Sequence, residues 1–527
     1  ATGIDPVSAS SDAKRVLEIE TTIARMFMKN DQARGDMPKG YSMDEVDAMA
    51  PNLNFPRFFK TLSPQLYKHV GIEKKNILLI DKQFYAGVSN LVKSHSAEYF
   101  KPYLRFRLAY TLGADLTPDF LDAGLELSKA LMGVKKILPR WRKCLNSVST
   151  ALGDTVGKLY VDKFFTESHR RTALEMLGHT KAIFRSNLGK VEWMDETTRQ
   201  HAQKKLDAML FEVGYPEHYT QYNYSVHRDY FFENTIKARK DEVTRTLLRL
   251  GQGVDRHRWG STSPTDVDAF YSRQLNTLFV PAGILQPPFF DPDYDMARNY
   301  GAIGAVMGHE MTHGFDDVGR KFDWDGQLVN WWKPTDKAAF KRRSQCMARQ
   351  YSHYTVSGHH VDGNLTLGEA IADEGGLKLA FQALTRAMAL KNGYTPNHAH
   401  YNPDTASAKT QAEEAVLAKA LKSGVGIKKA AAAVMDAAQH QAVAEIMHSR
   451  EMPLPPRSER QLFFLSWGQT WCSVTRTAAE VLELHTDEHA PDKFRVIGPL
   501  SESADFAQAF SCPAGSPMNP AHRCELW

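Results

Sequence analysis

His309-Glu310-Met311-Thr312-His313 lies within the stretch Gly301 to Asp317 of a 527-residue chain. Side chains four apart on a helix share a face, so the two imidazoles stand one turn apart and suit a single metal ion. Glu310 projects from nearly the same face and reaches a water on that ion without having to ligate it, the arrangement of a zinc hydrolase. The run Gly368-Glu369-Ala370-Ile371-Ala372-Asp373 places two more carboxylates on one helical face by the same spacing. Catalytic zinc takes three protein ligands and keeps a further position for water. His309 and His313 supply two, and Glu369 is the best candidate for the third because Asp373 has another task. A ligating histidine donates its other N–H to a carboxylate, and Asp373 suits His309. Glu310 is then expected to take the proton from zinc-bound water, whose pKa the metal lowers to about 7. Attack on a carbonyl leaves an oxyanion, and His489 and Arg495, in the run Asp487 to Arg495, are candidate donors to it.

These residues need helices to carry them and a scaffold to bring them together. A chain of 527 residues exceeds one hydrophobic core, and its 43% hydrophobic and 24% charged content are those of a folded globular protein. Residues 10 to 250 read as mostly helical. Ser42 with Glu45 forms a capping box, and Thr117-Pro118-Asp119 starts a helix running to about Leu131. Residues 196 to 211 form an amphipathic helical segment closed by Gly214-Tyr215-Pro216. The basic clusters at 135–143 and 238–249 read as solvated helix faces. Strand material follows at 267–271 and 276–281, so a boundary falls between about 235 and 265 and divides the chain into 1–245 and 246–527. The helix carrying the histidines is expected to begin near Asn299 and to end at Gly314. Residues 391 to 457 differ in texture: an alanine-rich run bounded by prolines, a candidate inserted helical hairpin whose His398, His400, His440 and His448 read as exposed.

A formal charge of +4 and the lack of a long basic run interleaved with aromatics argue against a nucleic-acid partner. No apolar run approaches the ~18 residues of a membrane span, and the first residues carry no signal pattern. The five cysteines, Cys144, Cys346, Cys472, Cys512 and Cys524, include no Cys-x-x-Cys pair, which excludes a zinc ribbon. They read either as reduced thiols of a cytoplasmic protein or as a disulfide set with partners outside this chain. Asn223 and Asn364 begin Asn-x-Ser/Thr triplets, glycan acceptors if the chain meets the secretory pathway.

Several separated stretches occur in one order: Val156 to Val161, Trp193-Met194-Asp195, Phe279 to Phe290, His309 to Asp317, Asn330-Trp331-Trp332, Ser344 to Met347, Leu367 to Gly376, Gln461 to Leu465 and Cys524 to Trp527. On these the chain resembles the neprilysin and endothelin-converting-enzyme family of zinc metalloendopeptidases, from about residue 10 to the end, interrupted at 391–457. The resemblance implies an α+β, mainly α, two-domain fold. A helical cap domain and a thermolysin-like zinc catalytic domain would enclose a central cavity. It implies one Zn2+ held by His309, His313 and Glu369, with Glu310 as base, Asp373 behind the ligands, His489 at the oxyanion and Arg495 on a substrate carbonyl. The substrates implied are oligopeptides, cut on the amino side of hydrophobic residues, with Ile284, Phe289, Ala305, Val306 and Trp471 at the pocket. An apolar pocket separates neighbouring side chains by only about 1–3 kcal/mol per methylene, so the preference would be broad.

The family is extracellular or membrane-anchored, and its ectodomains begin before the point matching this chain's start. The resemblance therefore implies a preceding segment that completes the cap and the cavity wall. Cys346 and Cys524 match a family disulfide, while Cys144, Cys472 and Cys512 match positions paired with that segment. Where the family has Asn-Ala on the strand that holds the peptide backbone, this chain has Asp268-Ala269. An asparagine side chain donates and accepts, whereas ionised aspartate only accepts, so one donor to substrate is lost. That loss and the implied missing segment favour a second reading, a catalytically weak or inactive peptide-binding relative. Asp268→Asn is expected to lower the KM for a hydrophobic oligopeptide; unchanged turnover of that peptide contradicts the inference.

Overall fold

The computed structural model describes residues 3–28, 39–62, 64, 67, 77–392 and 454–527. Nearly all of the expected insertion at 391–457, with its four histidines, lies outside the described residues. The chain forms two compact units. The smaller comprises Ala1–Val156, Tyr219–Asp255 and Thr475–Glu483, and the larger comprises Gly157–His218, Arg256–Val474 and Leu484–Trp527. The single boundary expected near 245 therefore differs from the packing. Residues 157–218 belong with the larger unit because their long helix, Glu167–Lys190, buries nine residues and joins the helix Leu367–Lys391, with Asn187 Nδ2 donating to Gln382 Oε1 at 2.8 Å.

The smaller unit is mainly helical. Its capping box is formed: Glu45 N donates to Ser42 Oγ at 3.2 Å and Ser42 N to Glu45 Oε2 at 2.7 Å. The helix Pro118–Met132 begins after Thr117, which makes no side-chain capping bond, and stops where Gly133 takes φ 65°. Asn223 is exposed here, as Asn364 is in the larger unit. No helix among the described residues is long and apolar enough to cross a membrane.

In the larger unit the amphipathic segment 196–211 splits. Its helix spans Glu196–Asp207, and Leu210–Gly214 is a strand running parallel to Thr277–Pro281, with Leu210 opposite Thr277. Local helix propensity yields there to pairing with a strand buried along its whole length. Phe270–Ser272 lies antiparallel on the other side of Thr277–Pro281, leaving itself as an edge strand, and Phe270 stacks on Phe279 with centroids 4.8 Å apart.

The histidine helix begins at Met296, three residues earlier than expected. It runs through Met296–Asn299, a π-helical turn over Tyr300–Gly304 and the α-helical Ala305–Thr312. It crosses the carboxylate helix Leu367–Lys391 at two glycines. A Cβ on Gly308 would sit 2.7 Å from Gly376 O, and one on Gly376 would sit 2.4 Å from the His309 nitrogen. Only the absence of side chains there lets the backbones approach so closely. Behind the crossing, Phe184, Phe315, Phe340 and Trp527 pack edge to face or tilted, with centroids 5.0 Å apart for Phe184–Phe315 and 6.1 Å for Phe315–Trp527. The disulfide Cys346–Cys524 closes 178 residues of chain beside this core, while Cys144, Cys472 and Cys512 are free thiols.

Gly376→Ala forces a methyl into the histidine helix, and overpacking of this kind costs about 1–3 kcal/mol. The expected result is a lower denaturant midpoint with unchanged slope; an unchanged midpoint contradicts the close crossing.

Candidate metal centre

The i, i+4 spacing and the glycine crossing together set two ring nitrogens face to face. His309 Nε2 and His313 Nε2 are 3.0 Å apart. Each Nδ1 is committed elsewhere, that of His309 to Asp373 Oδ1 at 2.8 Å and that of His313 to Asp316 Oδ2 at 2.7 Å. A ring that donates from Nδ1 in its neutral form carries a lone pair on Nε2. With both rings neutral, two lone pairs would point into one small space. Glu369 closes it, with Oε2 3.3 Å from His309 Nε2 and Oε1 3.5 Å from His313 Nε2. Its Oε2 is buried and makes no aligned hydrogen bond.

This donor set fits zinc. Two ligand atoms about 2.0–2.1 Å from a tetrahedral ion lie about 3.3 Å from each other, and the three separations of 3.0, 3.3 and 3.5 Å bracket that value. Glu310 belongs to the same cluster, one of its carboxylate oxygens and the histidine nitrogens lying within 4.8 Å of one another. It approaches His309 Nε2 only to 3.9 Å, so Glu369 is the better-placed carboxylate and Glu310 stands beside the space. Among the described residues no group of three histidine, cysteine or acidic side chains away from this cluster meets the same spacing.

Charge is balanced at close range. Burial pushes the Glu369 carboxyl up, but His313, His309 and His489 outweigh it and hold the group well below its usual range. Burial likewise opposes ionisation of Asp373, and the Arg495 guanidinium overrides it, with Nε to Oδ2 at 2.8 Å and Nη2 to Oδ1 at 2.7 Å. Asp316 is held low against burial by the His313 ring and by the Gly319 N–H. Glu310 differs: burial raises its carboxyl, and the two histidines only partly offset that. Its proton affinity is therefore raised where those of Glu369, Asp373 and Asp316 are lowered, the property a base needs.

The other residues singled out by sequence fall into place unevenly. His489 comes to the site, with Nε2 3.1 Å from Glu369 Oε2 and Nδ1 2.8 Å from Asp487 Oδ1; burial lowers its proton affinity, but these two carboxylates raise its pKa to about 9. Arg495 also comes, but buried and spent on Asp373, with its guanidinium 3.8 Å over the Trp471 ring. Ala269 is buried before the edge strand, and its N–H is taken by Asp268 Oδ1 at 2.9 Å. Ile284 and Ala305 are core residues, while Phe289, Val306 and Trp471 are partly buried against the same core. Sequence reasoning missed Asp316, whose His-x-x-Asp spacing from His313 was the available signal. It also missed Lys205, which reads as one more polar residue of a surface helix and is wholly buried.

Two profiles of Peptidase family M13 match the chain, an N-terminal one over residues 1–216 and a second over 268–413 and 428–526. An endothelin-converting enzyme homolog from Locusta migratoria is 33% identical over 543 residues, covering 100% of this chain and 66% of the relative. Endothelin-converting enzyme 1 from Homo sapiens is 33% identical over 536 residues, covering 100% of this chain and 62% of that protein. The chain thus spans 62–66% of the length of these relatives. Among solved structures, the Mycobacterium tuberculosis zinc metalloprotease Zmp1, in complex with an inhibitor, superposes with a TM-score of 0.80 at 27% identity over 100% of this chain and 72% of that one. PepO from Lactobacillus rhamnosis shares the fold, with a TM-score of 0.79 at 22% identity over 100% of this chain and 72% of that one.

Proposed function

The chain belongs to peptidase family M13, and from that premise we propose that it is a zinc-dependent endopeptidase acting on oligopeptides at the amino side of hydrophobic residues. The observation that carries the reading is the pair of imidazole Nε2 atoms 3.0 Å apart, each ring fixed from behind by a carboxylate and closed on a third side by Glu369. His309, His313 and Glu369 would hold one zinc ion, which when bound polarises a carbonyl and lowers the pKa of water. Asp373 and Asp316 hold the proton on each Nδ1, so that both Nε2 lone pairs stay available. Arg495 keeps Asp373 ionised and in place.

Glu310 acts as the base. Its buried carboxylate takes a proton from the attacking water and then passes it to the leaving amine. His489, carrying two protons on its ring, donates from Nε2 to the oxyanion of the tetrahedral intermediate. The free edge of Phe270–Ser272 suits an extended peptide that adds as a further strand. Phe289, Val306 and Trp471 supply apolar surface for the residue after the scissile bond. The disulfide Cys346–Cys524 fits an extracellular or ectodomain setting, as in the family.

One observation favours a second reading, a weak or inactive peptide-binding relative. Asp268 brings no donor, and its carboxylate occupies the Ala269 N–H that an incoming peptide would use. The two readings part on Glu310→Gln. For an enzyme, the wild type hydrolyses a quenched hydrophobic peptide, chelator abolishes this, and Glu310→Gln loses at least about three orders of magnitude in kcat while keeping one zinc per chain. Zinc bound by the wild type without turnover supports the second reading and contradicts the first.

A further inference from the structure

Lys205 lies near the end of the helix Glu196–Asp207 and has 0% exposure. Its ammonium donates to three backbone carbonyls, Gly314 O at 2.7 Å, Gly319 O at 2.7 Å and Phe322 O at 2.8 Å. An ammonium has three donors and no acceptor, so its capacity is fully used. Burial, opposed by Asp316 and Asp323, draws its pKa down to about 7. A neutral amine has only two N–H donors and would leave one of these carbonyls unmet.

The three carbonyls bracket Asp316. Gly314 O lies where the histidine helix ends, and a cation there also meets the negative end of the helix dipole. Between the bracketing carbonyls Asp316 Oδ1 accepts from Val318 N at 2.8 Å and Gly319 N at 2.5 Å, while Oδ2 faces His313 Nδ1 at 2.7 Å. The turn is tight: a Cβ on Gly319 would lie 1.8 Å from His313 O. The same end of the Lys205 helix is tied to the edge strand. Asn276 Nδ2 donates to Lys205 O at 3.0 Å and to Trp324 O at 3.1 Å, and Tyr271 Oη donates to Asn276 Oδ1 at 2.8 Å.

We propose that Lys205 is a positioning residue of the metal centre: by gathering three carbonyls it fixes the turn 314–322 in the form that keeps Asp316 on His313 Nδ1, and so keeps His313 Nε2 free for the metal. This rests on the zinc reading above. Neither common replacement does the same work. An apolar side chain leaves three buried carbonyls unsatisfied, and the planar fork of arginine does not converge on three acceptors from one nitrogen.

The test is a double-variant cycle on zinc affinity. Zinc dissociation constants are measured by chelator competition for the wild type, Lys205→Met, Asp316→Asn and the double variant, with melting temperatures of the metal-free proteins alongside. Each single variant is expected to weaken zinc binding by about 10- to 100-fold, and the double variant to stay within about threefold of Asp316→Asn alone. Unchanged zinc affinity in Lys205→Met with a lowered melting temperature overturns the proposal. So does a double variant whose loss is the product of the single losses. If Lys205→Met does not fold, Lys205→Arg keeps the cation, loses the three-point geometry and enters the same cycle with the same outcomes. A wild type that binds no zinc defeats the metal reading instead. The positioning role is then decided without metal, by the slowly exchanging His313 Nδ1 proton resonance: its loss in the Lys205 variant supports the proposal, and its persistence overturns it.

Discussion

Two imidazole Nε2 atoms lie 3.0 Å apart, and the surrounding architecture keeps them there. The i, i+4 spacing supplies the shared face. The Gly308–Gly376 crossing brings the carboxylate helix against it, at a distance no other residue type permits. Asp373 and Asp316 then fix the rings by their far nitrogens, and Arg495 and Lys205 hold those two carboxylates or the turn that carries one of them. Arrangements that hold like groups together, at a cost to stability, are characteristic of sites that await a cation.

The site also concentrates buried charge. Glu310, Asp316, Glu369 and Asp373 are all at most 7% exposed, and an isolated buried carboxylate is strongly disfavoured. Lys205 and Arg495 are the buried cations nearest to them, at 0% and 6% exposure. His489, its pKa raised to about 9, adds a further positive charge beside Glu369. Glu369 and Asp316 hold the His313 ring well above its usual pKa despite burial.

What the sequence made legible was local. His309 and His313, and Glu369 and Asp373, declare themselves because one helical turn is a short-range rule, and Ser42 with Glu45 is another. Phe270–Ser272 and Thr277–Pro281 were recognisable from aromatic and β-branched runs. Leu210–Gly214 was not, because its identity as a strand depends on a partner some 67 positions later in register, Leu210 with Thr277. The same limit hid Lys205: nothing within its own polar helix indicates that carbonyls from 314, 319 and 322 will surround it. Arg495 was expected to donate to substrate, whereas its acceptor in the structure, Asp373, lies 122 residues away. Long-range pairings of buried polar groups decided the finer structure of the site, and single-sequence patterns carry little of that.

The central claim is that the two Nε2 atoms and Glu369 form the zinc site. Zinc K-edge X-ray absorption of the protein loaded with one equivalent of metal reads the donor atoms directly. The account predicts two imidazole nitrogens with the remaining scatterers oxygen, and no sulfur. A zinc–sulfur shell at about 2.3 Å, placing the metal on the free thiols Cys144, Cys472 or Cys512, would contradict it.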